Sequence, residues 1–485
     1  MQMKQRKILL SMVFPLCFLN AAQPAWDEQI LSVPGIQQLY PVDVNCDQLL
    51  DLIVVHTQPE NPSPTAQRTV SVFLNQNGYH VSQADYQATD EVVMDWTDTN
   101  LDGLLELAFI RPDSICFWNP VRDDRYSTSL GPSLFLGADP VHLPHWSFLF
   151  DVDSETGPEI LLPTRRGVQI YKPDSLGLER SFLCLQSRAD VSTDLEGTLT
   201  LKTRLPIMKQ EDMNNDSLPD ILLLSGDKMT LFLNVWVDRN PPELITAENQ
   251  MRFAVDDRDH SMLELLAPAD SRLEVTDLNH DGYADALLSY ASKAGFTKST
   301  SQLQIYFSRE GRFNALPDQV LMADNFFGDH IVADLNQDGL EDLALLQFPF
   351  GLIRAARFLL TRRMKYGFDI YYQQQGSGYA GLPDQKLRFT RHSKLRNVLR
   401  PEVATFLDWN GDGLKDLLVN VNREKLVIFF QQNGRFPGKP SVHIDIPVST
   451  HYWTGDLNKD RYEDLIFWYP ANGSIRILTN RIQPE

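Results

Sequence analysis

The sequence predicts an all-β chain folded as a single β-propeller of four-stranded blades, eight blades preferred over seven. Three observations lead there. A short acidic pattern returns eight times at a period near 59 residues. Each copy is followed by runs of alternating apolar residues, rich in β-branched and aromatic side chains, that read as strands. No stretch of ten residues or more carries the apolar period of an amphipathic helix. Repeats at such spacing build propellers, solenoids or arrays, and one propeller can absorb all 485 residues.

The chain opens with a segment of a different kind. Lys4, Arg6 and Lys7 precede a 12-residue apolar run from Ile8 to Leu19, and Ala21, Ala22 and Ala25 follow. This reads as a secretory signal peptide over residues 1–22, too short to span a bilayer well. It assigns the protein to a secreted, periplasmic or cell-surface location, with no transmembrane span after cleavage. The propeller then occupies 25–485. Its first segment, Trp26 to Pro34, resembles Ser441 to Pro447, the outer strand before the eighth acidic copy. The last repeat stops after its third strand, near Thr479, so the N-terminal strand is expected to complete the last blade. Closure of that kind removes an exposed sheet edge.

The acidic pattern places an acid at position 1, an acid or amide at 3, and acids at 5 and 9. The copies are Asp43-Asn45-Asp47-Asp51, Asp98-Asn100-Asp102-Glu106, Asp151-Asp153-Glu155-Glu159 and Asp212-Asn214-Asp216-Asp220. They continue as Asp277-Asn279-Asp281-Asp285, Asp334-Asn336-Asp338-Asp342, Asp408-Asn410-Asp412-Asp416 and Asp456-Asn458-Asp460-Asp464. Alternate residues of a tight loop turn their side chains inward, so positions 1, 3 and 5 converge. Position 7 would add a backbone carbonyl and position 9 a last carboxylate. An all-oxygen set of this size suits Ca²⁺, which takes six to eight such ligands. Up to eight ions are therefore expected. These are not EF-hands, because position 12 is apolar (Phe109, Leu288, Leu345, Val419) where an EF-hand needs a bidentate Glu.

Position 6 favours Gly, since the chain must turn there with positive φ. Gly103, Gly282, Gly339 and Gly413 hold it, whereas Gln48, Thr156, Ser217 and Arg461 replace it in the other copies. The loops at 98, 277, 334 and 408 are thus expected to be the best occupied. The third copy is the weakest, with Glu155 at position 5 and its Gly157 displaced by one.

A strand follows each loop, as in Leu104 to Ile110 or Leu414 to Val421, and often a second strand with a recurring tail. The tails read VFLNQN at 72–77, LFLN at 231–234, IFFQQN at 428–433 and ILTN at 477–480. The sixth repeat breaks the rhythm. Between 351 and 400 it holds 11 Lys and Arg against Asp369 and Asp384. Tyr366, Phe368, Tyr371, Tyr372 and Tyr379 lie in the same stretch. It reads as a basic insertion whose Arg354, Arg357, Arg362, Arg363, Lys365, Arg388 and Arg391 could dock an anionic partner.

The net charge is −20, which argues against nucleic acid as a partner. Much of it has a local origin, because the eight copies hold 25 of the 64 Asp and Glu residues. Eight Ca²⁺ would bring the total near −4 from −20. Three cysteines remain after cleavage, Cys46, Cys116 and Cys184, an odd number that reads as free thiols.

The run from Asp334 to Leu343 resembles the VCBS and FG-GAP repeats of integrin-α-like β-propellers, as do Asp277 to Ala286 and Asp408 to Leu417. The resemblance covers nearly all of 25–485. Phe327-Gly328 matches the Phe-Gly part of the family signature, but the Gly-Ala-Pro part is missing throughout, which places the chain nearer the bacterial VCBS type. The resemblance implies calcium at the eight loops, an extracellular location, and a role in adhesion, glycan binding or scaffolding. No ligand-binding residue carries over from it.

Two functional classes compete. One is a calcium-binding adhesion or scaffold module for a protein or glycan partner. The other is a hydrolase or lyase with a site in the propeller channel. The chain holds no G-x-S-x-G, no H-E-x-x-H and no Cys/His zinc spacing. The close pair His142 and His145 sits in a Pro-containing loop and reads as structural. The expectation is a non-enzyme.

Overall fold

The computed structural model describes residues 26–57, 68–76, 79–129, 141–151, 157–164, 167–171, 178–182, 189–193, 199–203, 206–225, 228–232, 249–252, 272–293, 299–323, 326–348, 360–361, 363–392, 404–422, 425–432, 434–446 and 451–481. The signal segment, Cys184 and the cations Arg354, Arg357 and Arg362 lie outside the described residues. Eight four-stranded antiparallel sheets stand in a ring around an axis, giving an eight-bladed propeller. Blade 1 runs Ile36–Val42, Asp51–Thr57, Arg68–Gln76 and Tyr79–Ala88, in that order from the axis outward. Blades 2 to 7 repeat this meander.

Blade 8 is closed by both ends of the chain. His451–Gly455, Asp464–Tyr469 and Ser474–Asn480 supply three strands, and Trp26–Ser32 supplies the outermost. The register pairs Trp26 with Asn480 and Ser32 with Ser474. The predicted N-terminal closure is therefore what the chain does.

Closure also shows in the core. Eight apolar clusters occur among the described residues, one per junction between neighbouring blades. Ile53, Val55 and Val72 of blade 1 meet Leu107, Phe109 and Trp118 of blade 2. The ring ends with Ile466, Ile475 and Ile477 of blade 8 against Leu52, Val54 and Ile36 of blade 1. Each central strand is covered on both faces, which is why runs such as Leu52–Val55 and Leu107–Ile110 are apolar at every position. Outer strands alternate instead, with the outermost strand of blade 2, Asp124–Ser129, almost wholly exposed.

Polar ties reinforce the first two junctions. Arg68, fully buried, donates to the carbonyls of Thr89, Glu91 and His142. The Glu91 carboxylate accepts from Tyr86 Oη, Thr89 N and the Arg111 guanidinium. Residues 143–146 run against the axial edge of blade 2, where Met94 and His145 form a parallel bridge.

Within the stretch read as a basic insertion, the described residues 363–392 belong to blade 6. Arg363–Tyr371 and Gln385–His392 are its third and fourth strands, and Gln373–Gln374 pairs with Gly378–Tyr379 in a small hairpin between them. Its aromatics are not a surface shelf. Tyr366 and Phe368 pack between blades 6 and 7, and Tyr371 and Tyr379 between blades 5 and 6.

Cys46 is an exposed thiol and Cys116 a buried one; neither forms a disulfide. No described helix is long and apolar enough to cross a membrane.

His80, nearly buried, shares a hydrogen bond between its Nε2 and the Leu50 carbonyl at 3.0 Å. Its Nδ1 is buried without a partner. Burial holds its pKa down to about 4. The folded state therefore binds fewer protons than the unfolded state between pH 6.5 and 4, and the stability His80 contributes is lost as pH falls through that window. We expect His80→Gln to shrink the stability difference between pH 7 and pH 5 by about 1–2 kcal/mol. Urea unfolding of both proteins at the two pH values checks this, and an unchanged difference contradicts it.

Candidate metal loops

Each acidic copy joins the first strand of a blade to the second, so all eight begin on the same rim of the ring. Seven are described in full. In the third, Asp153 and Glu155 lie outside the described residues, whereas Asp151 is exposed and Glu159 is buried.

The loop at 43–51 illustrates the wiring. Asp43 Oδ2 accepts from Gln48 N at 2.7 Å. Asp43 Oδ1 and Asn45 Oδ1 both accept from Asp47 N, at 3.1 and 3.2 Å, so the two oxygens converge on one point. Asp47 Oδ1 accepts from Leu49 N, and its Oδ2 from Asn45 Nδ2. The loops at 212, 277, 334 and 456 reproduce this set bond for bond. The loop at 408 differs at one bond, where Gly411 N replaces Asp412 N on Asp408 Oδ1.

Two residues per loop have left-handed backbone. At position 6, Gly103, Gly282, Gly339 and Gly413 have φ between 83° and 88°, and Gln48, Ser217 and Arg461 are held at 77°, 66° and 77°. Position 4 is left-handed as well, at Cys46, Leu101, Asn215, His280, Gln337, Gly411 and Lys459. Sequence reasoning found the first of these positions, through its glycines, and missed the second, where six of seven residues are not glycine.

Position 9 is buried. Asp51 Oδ2 accepts from Val44 N at 2.9 Å and Oδ1 from Asn75 N at 2.7 Å. Asp285, Asp342, Asp416 and Asp464 repeat this, each taking the amide of position 2 with one oxygen and an amide at or just past the end of the third strand with the other. The recurring tail residues of the sequence (Asn75, Gln431, Asn480) supply that second amide. Burial, with the carboxylates of positions 5 and 1 adding to it, pushes Asp51 up to about 6 and Asp285, Asp342, Asp416 and Asp464 up to about 7, although the two amides pull the other way.

No group of three or more Asp, Glu, His or Cys among the described residues forms a ready metal cage. The carboxylates are folded onto amides instead. Each loop nonetheless gathers oxygen donors alone, and a carboxylate has about four acceptor positions, of which these bonds use one or two per group. The donor set thus fits a hard cation. The loop at 98 stands apart: Arg122 makes an ion pair with Asp102, and Asn100 Nδ2 turns to Glu106. Its Gly103 favours it in sequence, while Arg122 competes with a cation there.

Two acid–histidine pairs lie on or beside the strands nearest the axis among the described residues. His145 Nε2 meets Asp95 Oδ1 at 3.0 Å, and its ring stacks on Trp96 at 4.1 Å. The other oxygen of Asp95 takes the amides of Phe148 and Leu149, so this carboxylate stitches blade 2 to blade 3. Buried His330 meets Glu274 of the neighbouring blade at 3.0 Å.

Of the expected partner-binding cations, Arg363, Lys365 and Arg388 lie exposed on blade 6, and Arg391 lies on its outer strand. Arg388 is engaged, to Asp369 and to the carbonyls of Phe368 and Leu387.

Residues 408–467 match the FG-GAP-like repeat family, a span covering the seventh loop and the first half of blade 8. The chain is thus an eight-bladed β-propeller that carries an FG-GAP-like repeat over 408–467. No curated protein matches the sequence. Among solved structures, the chain is similar over 94% of its length to the biofilm matrix protein Bap1 of V. cholerae, at 11% identity, 89% coverage of that chain and a TM-score of 0.34. It is similar over 94% of its length to a Tc holotoxin pore of Photorhabdus luminescens, at 12% identity and a TM-score of 0.25, but spans only 27% of that chain.

Left-handed backbone costs a non-Gly residue roughly 1–2 kcal/mol. Arg461→Gly should therefore stabilise the protein by about 0.5–1 kcal/mol after the added freedom of the unfolded chain is counted. Denaturant unfolding at fixed calcium measures it, and a loss of stability contradicts it.

Proposed function

We propose that the protein is a secreted, calcium-stabilised propeller that acts as an adhesion or scaffold module for a protein or glycan partner, and is not an enzyme. The observation that carries this reading is the repeated loop wiring on one rim. Five loops share every internal bond and a sixth departs at one, and all gather oxygen donors alone. Positions 1, 3 and 5, the carbonyl of position 7 and the carboxylate of position 9 would hold the ion. Bound Ca²⁺ would supply a positive centre that relieves the crowding of three carboxylates per loop. The axial acid–histidine pairs support the non-enzymatic reading, since Asp95 is occupied by backbone amides and both pairs join neighbouring blades.

The partner reading narrows to charge. Lys365 and Lys386 are exposed on the face of blade 6 turned towards blade 5, and with Arg363 and Arg388 they set four cations against Asp369 on that face. A short strip of this kind in a protein of net charge −20 suits an anionic partner.

Calcium held only by the native loops must stabilise the fold. Thermal melts in excess EDTA and in millimolar CaCl₂ should differ by 10 °C or more, and identical midpoints reject the calcium reading. On a glycan array with calcium present, the Lys365→Glu/Lys386→Glu double variant should lose about tenfold of any anionic-glycan signal. Equal signals reject the strip.

A further inference from the structure

The loops are bonded to one another as well as within themselves. Leu105 N of the second loop donates to the Val44 carbonyl of the first at 2.9 Å. Glu341 N of the sixth donates to the Leu278 carbonyl of the fifth, and Glu463 N of the eighth to the Asp408 carbonyl of the seventh. Between blade 8 and blade 1, Leu50 N donates to the Leu457 carbonyl. At these four junctions the amide at position 8 of one loop donates to the carbonyl at position 2, or once position 1, of the loop before it; in the third loop position 8 is Pro158, which has no amide to give.

Side chains repeat the link. Asn75 Nδ2 donates to the Leu457 carbonyl at 2.9 Å, and Asn480 Nδ2 to the Trp409 carbonyl at 2.5 Å. These are tail residues whose own backbone amides hold the position-9 carboxylates Asp51 and Asp464. Position 4 of one loop also reaches position 6 of the next. Lys459 Nζ donates to Gln48 Oε1 at 3.1 Å, and the side chains of Asn215 and Gln337 close over Gly282 and Gly413.

We infer that the linked loops, from the fourth round to the second, take up calcium as one coupled belt, with Asn75 and Asn480 as positioning residues that pass the ordering of one loop to its neighbour. This deepens the calcium reading and rests on it. The link is placed where ligation must be felt. Position 2 lies between ligand positions 1 and 3, so an ion held by those two side chains fixes the direction of the carbonyl between them. Position 8 lies between the position-7 carbonyl and the position-9 carboxylate, so a second ion fixes the donor. A filled loop thus presents an oriented acceptor to a neighbour that needs its donor oriented, and each ion lowers the ordering cost of the next. The belt crosses from blade 8 to blade 1. Calcium would therefore brace blade 8, the blade that both ends of the chain complete.

The probe is CaCl₂ titrated into EDTA-stripped, desalted full-length protein, with bound ions counted by equilibrium dialysis. The expected result is several ions bound with a Hill coefficient of about 2 or more. Asn75→Ala and Asn480→Ala should each lower the coefficient towards 1 while leaving the number of ions unchanged. Should either fail to fold, Lys459→Ala tests the eighth-to-first junction from an exposed side chain, and should lower the coefficient by a smaller step. Several ions bound with a coefficient of 1 in the unaltered protein overturns the coupling and leaves the calcium reading standing. An unchanged coefficient in every variant overturns the assigned residues. No bound calcium at all removes both readings.

Discussion

A buried carboxylate with a backbone amide on each oxygen is the interaction on which this propeller depends. It recurs at Asp51, Asp285, Asp342, Asp416 and Asp464. One amide belongs to its own loop and the other to the chain leaving the third strand. A carboxylate taken out of water is costly unless its oxygens are satisfied, and these two bonds offset part of that cost. In return the bond ties the loop, the second strand it begins and the end of the third strand into one unit. The apolar faces of each sheet then meet their neighbours in a fixed register, and eight clusters close around the axis.

The same residue sets the tension that a cation would relieve. Positions 1 and 5 are carboxylates close to a third that is already desolvated, and their proximity raises its proton affinity further. An acidic chain of this composition is therefore not acidic all over for solubility. Its charge is concentrated where the backbone turns twice through left-handed conformations. At Arg461 and Gln48 the loop keeps that shape although neither residue favours it, so the wiring of the loop overrides local preference.

The fold was legible because the repeat is written at two levels, in the loop and in the strand behind it. A doubly covered strand leaves no polar residues to blur the apolar run, and the N-terminal strand betrayed itself by its likeness to another outer strand. What could not be read was partnership at a distance. The Asn and Gln residues showed in the sequence only as a recurring tail; their role is set by carboxylates about 15–24 residues earlier in the chain. Arg122 answers Asp102 only because the last turn of blade 2 returns it to the loop. Tyr366 and Phe368 looked like an exposed aromatic surface beside basic residues. In a strand of alternating period, however, Lys365 on one face obliges its neighbour Tyr366 to be on the other, where blade 7 buries it.

This alternation decides how the basic stretch should be understood. Arg363, Lys365, Lys386 and Arg388 occupy the face of blade 6 turned towards blade 5, and Tyr366 and Phe368 turn towards blade 7. One pair of strands thus serves packing and charge at once. The geometry also separates the two rims of the ring. The acidic loops and the tails after the third strands meet on one rim and are consumed there by bonds to each other. Arg363 opens the third strand of blade 6 and His392 closes the fourth, so both sit at the opposite rim. The basic strip thus runs lengthwise along blade 6, from Arg363 at that rim to Lys386 near the loop rim, where the fourth strand begins. Under the proposed reading, an anionic partner would lie along the face of the blade, whereas the cation would sit inside the loops.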